Sequence, residues 1–325
     1  MGTRETHSVR EACRAVLTAL VLLAAPGLAA CSSGGQSLSA SPLPAPTVSG
    51  AIVFENAVDA GPGGNGDVYV VNADGSGLKA LAEAPSWAEH PSFSPDGARI
   101  VWATYPRGCE DGTKARLWVM DADGSDQHPL AKDLLGNWAV WSPDGARIAF
   151  SRNEGNGKQP LYVIGADGSG LRRLTSGTSD VAPAWGPDGR IYFVRSSKVF
   201  AIEPDGSGLT QVTHGVNVSD FSLSPDGTTL AVHDYTNDRI VALAVDGSGS
   251  PVTLLDKPSR YLDPAGKLGT KWAPAWTPDG KALVLTTDLV YSVHGTRLYI
   301  VNADGTGLSA VPGIENAIDA SWRPQ

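Results

Sequence analysis

The residues of this chain that could do chemistry cluster just ahead of a repeated aromatic position. They include Glu89, His90, Asn137, Trp138, Asp180, Asn217, Asp220, Lys271, Trp272, Asn316 and Asp319. Indoles beside carboxylates and amides at a cavity mouth suit a sugar or peptide ligand, since the ring is apolar and the polar groups orient. The candidate ligand- or partner-binding set is Glu89, His90, Asn137, Trp138, Asp180, Asp220, Lys271, Trp272 and Asp319. His90 with Glu89 and Asp319 has the composition of a metal or acid–base cluster, although a His followed by Pro at a strand start is more often structural. Other chemistries are poorly provided for. No Ser has Gly two residues before and two after it, so the nucleophile elbow is absent. No His begins a His-Glu-x-x-His motif. Gly61 to Gly66 matches Gly-x-Gly-x-x-Gly only formally, because it links two strands with no helix following. Asp121-x-Asp123-x-x-Asp126 is the nearest approach to a calcium loop and lacks the alternation one needs. The reading is no catalytic residue, no metal and no cofactor.

The elements that must position these residues are written as a repeat. Five times a short extended run ends in an aromatic or Leu followed by x-Pro-Asp-Gly, at Phe93, Trp141, Trp185, Leu223 and Trp276. A sixth copy, Trp322-Arg323-Pro324, runs into the C-terminus. A second turn of the type Asp-Gly-Ser-Gly recurs six times, beginning at Asp74, Asp123, Asp167, Asp205, Asp246 and Asp304. Successive prolines are 38 to 53 residues apart, a spacing that predicts four-stranded propeller blades. In residues 136–175, Trp138 to Trp141 reads as a buried inner strand. Pro143 presets a tight turn and Gly145 supplies its positive φ. Arg147 to Ser151, Leu161 to Ile164 and Leu171 to Thr175 follow as the other three strands. The repeated Trp141, Trp185, Trp276 and Trp322 are expected between blades.

The two ends are out of phase. Residues 51–82 supply three strands and no inner one; residues 317–322 supply an inner strand and nothing after it. The expectation is an all-β, six-bladed propeller with four antiparallel strands per blade, closed by the C-terminal strand pairing into the first blade. Both recurrent turns then fall on one face. The variable loops, longest at residues 55–66, 105–115, 256–271 and 286–296, fall on the other, where binding is usually placed.

The first 30 residues read as an address. Arg4, Arg10 and Arg14 precede an apolar stretch from Ala15 to Ala25, too short to span a bilayer. Leu28-Ala29-Ala30-Cys31 resembles the lipobox of bacterial lipoproteins, which implies cleavage before Cys31 and its lipidation. Residues 31–50 read as the lipidated Cys and a Ser-, Gly- and Pro-rich tether, and 51–325 as the propeller. Cys109 is left as a lone loop thiol. The whole chain carries 25 basic and 34 acidic side chains; without residues 1–30 it carries 22 and 32, a net charge of −10. That balance argues against nucleic acid or an anionic membrane surface as the main partner.

The unit Trp-Ser-Pro-Asp-Gly-x-x-Ile-Ala-Phe, a Leu-Tyr-Val strand, Ala-Asp-Gly-Ser-Gly-Leu and Arg-Leu-Thr, seen most fully in residues 141–175, resembles the TolB-type propeller repeat. The resemblance covers roughly residues 50–325 and implies the fold. It says little about function, because similar blades serve as periplasmic scaffolds, peptidase accessory domains and parts of polysaccharide lyases. TolB's helical N-terminal domain has no counterpart in the tether, so TolB's partner contacts are not carried over. The function expected is a monomeric, lipid-anchored, extracytoplasmic binding or scaffold propeller at the bacterial cell membrane. It recognises an envelope protein or cell-wall glycan through its loop-rich face. The alternatives are a glycan-active lyase or hydrolase using the mouth carboxylates and His90, or an accessory propeller of a separate peptidase.

Overall fold

The computed structural model describes residues 48–58, 65–82, 87–106, 114–177, 179–256, 271–288, 297–314 and 317–324. The expected leader, Cys31, most of the expected tether and Cys109 lie outside them. Among the described residues there are 24 strands in six four-stranded antiparallel sheets. Blade 1 takes β1 (Ala51–Val58), β2 (Asn65–Asn72) and β3 (Lys79–Ala82). Blade 2 is β4 (Trp87–Phe93), β5 (Arg99–Tyr105), β6 (Arg116–Asp121) and β7 (His128–Pro129). Blade 3 is β8 (Asn137–Trp141), β9 (Arg147–Ser151), β10 (Leu161–Gly165) and β11 (Arg172–Arg173). Blade 4 is β12 (Asp180–Trp185), β13 (Ile191–Arg195), β14 (Lys198–Ile202) and β15 (Thr210–Gln211). Blade 5 is β16 (Val218–Leu223), β17 (Thr229–Asp234), β18 (Arg239–Ala244) and β19 (Val252–Asp256). Blade 6 is β20 (Lys271–Trp276), β21 (Ala282–Asp288), β22 (Tyr299–Asn302) and β23 (Ser309–Ala310). The last strand, β24 (Ala317–Trp322), returns to pair with β1 as the inner strand of blade 1, so the ring closes as the repeat phase requires.

The core lies between blades. Side chains alternate faces along a strand, so each sheet packs against both neighbours. Ile52 and Phe54 join Val284 and Leu298 of blade 6, while Val53 between them joins Ile100 and Trp102 of blade 2. Ile148 and Phe150 face blade 2, and Ala149 faces blade 4. Six apolar clusters result, one for each junction between blades. The repeated aromatics sit at these junctions. The Arg99 guanidinium lies 4.7 Å from the Trp141 ring of the next blade, and Arg147 lies 4.9 Å from Trp185.

The x-Pro-Asp-Gly turns work through their first and third residues, as Ser142 and Asp144 show. The Ser142 hydroxyl donates to Asp144 and accepts the Arg147 N–H at 2.9 Å, while Asp144 Oδ1 accepts the Ala146 N–H at 3.0 Å. Gly145 has φ of 67°, and its N–H donates to the Ser142 carbonyl at 2.8 Å. In blade 4 a glycine replaces the Ser, because a Cβ at Gly186 would lie 2.4 Å from Asp188 Oδ1 and 2.8 Å from the Tyr192 ring. Tyr192 supplies the missing hydroxyl, donating to Asp188 Oδ2 at 2.8 Å. The expected loops at 55–66 and 286–296 are shortened by strands, since residues 286–288 continue β21. Residues 55–58 continue β1, and Asn65 and Gly66 already belong to β2, because the hairpin stays in register out to Val58 and Asn65.

His233 on β17 is fully buried, with Nδ1 2.8 Å from Ser219 Oγ. Burial pushes its pKa down from 6.5 to about 4, against the opposing pull of Asp238 and Asp234. The unfolded chain therefore takes up a proton that the native state refuses. The corresponding stability is full above pH 6.5 and is lost as pH falls to about 4, on the order of 3 kcal/mol. Turn carboxylates such as Asp144, held below 3.8 first by the Ser142 hydroxyl, add a second loss at still lower pH. Denaturant unfolding should show wild-type stability falling between pH 7 and 5, and His233→Gln should flatten that fall. A wild type equally stable at both values contradicts this account.

Candidate functional site

Aligned on the repeated aromatic, the third residue before it in each inner strand is His90, Trp138, Ala182, Asp220, Ala273 and Asp319. All six line one cavity in the central channel, with a volume of about 250 Å³. The backbone explains why these side chains turn inward. The inner strands of blades 1 to 5 slip register against their neighbours at this point, as between Glu89 and Ser92 or between Asn137 and Val140. His90, Trp138, Ala182 and Asp319 adopt left-handed φ of 52°, 49°, 49° and 47°. A bulge of this kind re-aims one side chain at a local cost of roughly 1 kcal/mol for a non-Gly residue. Ala182 bears the same strain with only a methyl group, so the bulge belongs to the fold. What differs between blades is the side chain it presents. In blade 6, β20 runs in register from Lys271 to Trp276 without a bulge.

The side chains that meet one another come from three consecutive blades. Asp319 of blade 1 lies 3.2 Å from His90 Nε2 of blade 2, and Glu89 Oε2 lies 3.5 Å from His90 Nδ1. The imidazole centroid is 4.7 Å from the Trp138 ring of blade 3, tilted by 56°. Behind them is a buried layer. Asn137 donates to the Tyr105 hydroxyl. Burial pushes the Tyr105 hydroxyl upward, reinforced by the charge of Glu89, a hydrogen bond to it and the charge of Glu55. Glu55 itself is only 1% exposed. Sequence reasoning missed Tyr105 and Glu55. Glu55 continues an apolar strand, Ile52 to Phe54, and was placed in a loop. Tyr105 sits opposite Trp87 in the hairpin, a pairing visible only once the register is known.

Other members of the predicted set lie elsewhere. Asp180 does not line the cavity; its fully buried carboxylate is gripped by Arg195 at 2.6 and 2.8 Å and by the Thr175 hydroxyl. Asp220 does line it, with Oδ1 accepting the Phe221 N–H at 2.7 Å. Lys271 and Trp272 open β20, but their side chains lie outside the described set. Asn217 binds Lys198 and Thr236 at 2.9 Å each. Among the described residues, no three His, Cys, Asp or Glu side chains converge in a way that could hold a metal ion. In the nearest calcium-like run, Asp123 Oδ1 accepts from the Ser125 N–H at 2.9 Å and its hydroxyl at 2.6 Å. The arrangement can stack an aromatic face, accept hydrogen bonds on carboxylates and relay a proton through His90.

Comparison with known proteins follows the geometry. The sequence profile of the TolB beta propeller domain matches residues 111–324. The chain is 35% identical over 123 residues to the Tol-Pal system protein TolB of Anaeromyxobacter dehalogenans (strain 2CP-C), covering 38% of this chain and only 27% of that one. It is 27% identical over 205 residues to the uncharacterized peptidase YuxL of Bacillus subtilis (strain 168), covering 61% of this chain and 29% of YuxL. These matches thus span under a third of each relative's length. Among solved structures, TolB from Acinetobacter baumannii superposes with a TM-score of 0.69 at 17% identity, covering 85% of this chain and 67% of that one. A nidogen/laminin complex chain gives 0.60 at 11% identity, covering 85% and 98%, a likeness of fold alone. With the profile running over most of a ring whose strands, turns and closure follow one repeat, the chain belongs to the TolB beta propeller domain family.

Proposed function

We propose that this protein is an extracytoplasmic binding or scaffold propeller that presents its loop-rich face to another envelope protein. Residues 1–30 act as a leader, Cys31 carries the lipid that holds it to the membrane, residues 31–50 form the tether and 51–325 the recognition domain. The observation that carries the reading is the asymmetry of the channel. Three adjacent blades present Asp319, His90 and Trp138 from one structural position, where blades 4 and 6 present Ala182 and Ala273. A rigid ring whose imidazole and indole sit side by side, with a lone carboxylate opposite, recognises an orientation as well as a composition. The Tol-Pal system named for the TolB relatives supports an envelope partner. The likeness to YuxL supports a second reading, an accessory propeller for a separate peptidase.

The test is affinity capture from solubilised cell envelope with the full chain as bait. The control bait carries Glu89→Ala, His90→Ala and Asp319→Ala, leaving the structural Asp180 in place. A protein retained by the wild type and lost by the control is the expected result. Equal retention by both baits moves the site off the mouth. A peptidase as the retained protein selects the second reading.

A further inference from the structure

We propose that the channel cavity binds a single saccharide ring, stacked on Trp138. The inference rests on the binding-module reading in that it treats the channel as a recognition site, but it needs no partner protein.

The argument begins with the order of the blades. Contacts between inner strands run β24, β4, β8, β12, β16, β20 and back to β24. In a six-fold ring Trp138 of blade 3 therefore faces Ala273 of blade 6, and Asp319 faces Ala182. The position across the axis from the indole carries only a methyl group. Had blade 6 carried a large side chain at this position, the channel would be filled. As it stands, space is left across the axis from an indole that lines the cavity. The polar lining surrounds that space. Asp220 stands across from His90, and Ser92 and Ser321 line the wall beside His90 and Asp319.

This lining discriminates among ligands. A bare cation is poorly served, because the protein's own imidazole already stands 3.2 Å from Asp319. A metal ion lacks the necessary ligands among the described residues. A fully apolar ligand would place no hydrogen-bonding group against the polar lining that Asp220, Asp319, Ser92 and Ser321 supply. A pyranose answers each requirement. Its C–H face is apolar and flat enough for an indole, and its rim of hydroxyls donates to carboxylates and exchanges hydrogen bonds with serines and imidazole. The cavity, at about 250 Å³, is at the small end for ligand sites and so suits one ring of a longer chain rather than several.

The experiment uses N,N′-diacetylchitobiose as probe, read by saturation-transfer NMR and by tryptophan fluorescence on the full chain. Sorbitol supplies hydroxyls without a ring face, and tetramethylammonium supplies a cation without hydroxyls. The expected result is saturable binding of the disaccharide that neither control displaces. Trp138→Ala should weaken it by about tenfold or more. Because that change alters a strained position, Ala273→Leu is the second variant. It leaves Trp138 in place, fills the space opposite and should abolish binding without lowering the melting temperature. Absence of disaccharide binding to the wild type overturns the proposal, as does binding that survives Ala273→Leu. Displacement by tetramethylammonium overturns it in favour of a cation pocket. Envelope capture that persists in Ala273→Leu separates this site from the partner surface, so either reading can fail alone.

Discussion

Deleting residues 314–325 should leave no cooperative unfolding transition. These residues include β24, which no other segment replaces as the inner strand of blade 1. Ala317, Ile318 and Trp322 are 0%, 9% and 6% exposed, and Trp322 sits with Ile52, Phe54 and Val284 in the junction between blades 6 and 1. Ile314, 3% exposed, belongs to the same cluster. The segment also ties both sides of the closure. The Arg323 N–H donates to the Ala51 carbonyl at 2.8 Å, and its guanidinium lies 5.9 Å from the Phe93 ring of blade 2. Losing one buried Trp costs about 3–5 kcal/mol, and a whole domain commonly has only about 5–15 kcal/mol to lose. Removing the strand also bares the inner edge of β1 and opens two of the six junctions. Trp322→Ala is the graded version, with an expected loss of about 3–5 kcal/mol and cooperativity retained. A truncated chain that melts in one sharp transition at the wild-type midpoint contradicts closure by β24.

Arg195→Ala should cost about 3–5 kcal/mol, the penalty for leaving a buried charge without its partner. Asp180 is fully buried, whereas the Arg195 side chain is 23% exposed, so the two halves of the pair are not equivalent. The guanidinium bonds both carboxylate oxygens at 2.6 and 2.8 Å and lies 5.1 Å from the Phe193 ring. Among the described residues its removal leaves the Thr175 hydroxyl as the side-chain donor to that carboxylate, and this hydroxyl also accepts the Leu161 N–H at 2.9 Å. Asp180→Asn should be milder, since it removes the buried charge while keeping its shape. Asp180→Leu combined with Arg195→Met should recover most of the loss, as replacing both members of a buried pair often does. Urea unfolding measures all of these. An Arg195→Ala variant that loses under about 1 kcal/mol would make this a pair of surface strength.

Much of the ring was legible before any coordinates, because a phased repeat is a global constraint. The six Asp-Gly-Ser-Gly-type turns and the six x-Pro copies, five led by an aromatic and one by Leu223, count the blades, and the mismatch at the ends places β24 in blade 1. The candidate site was legible only in part. His90, Glu89 and Asp319 do meet, and Trp138 joins them. The rule that unites the cavity lining was missed, because His, Trp, Ala, Asp, Ala and Asp share no chemistry that a pattern would register. Their shared property is their place three residues before the repeated residue, marked in blades 1 to 5 by a backbone bulge, and a left-handed His or Trp defies local propensity. Asp180 misled for a related reason. Its partner is 15 residues downstream, and only the register pairing of Asp180 with Arg195 reveals that its charge is already taken. Tyr105 and Glu55 escaped because they stand behind the mouth, where burial rather than sequence pattern decides their part.

The central claim is that the loop-rich end of this ring is its recognition surface. Hydrogen exchange across the complex of the full chain with its captured envelope partner tests that most directly. Slowed exchange at residues 87–90, 137–138 and 317–319, with the turns at 95–97 and 143–145 unchanged, is the predicted result. Protection confined to those turns would put the partner on the opposite face and contradict the account.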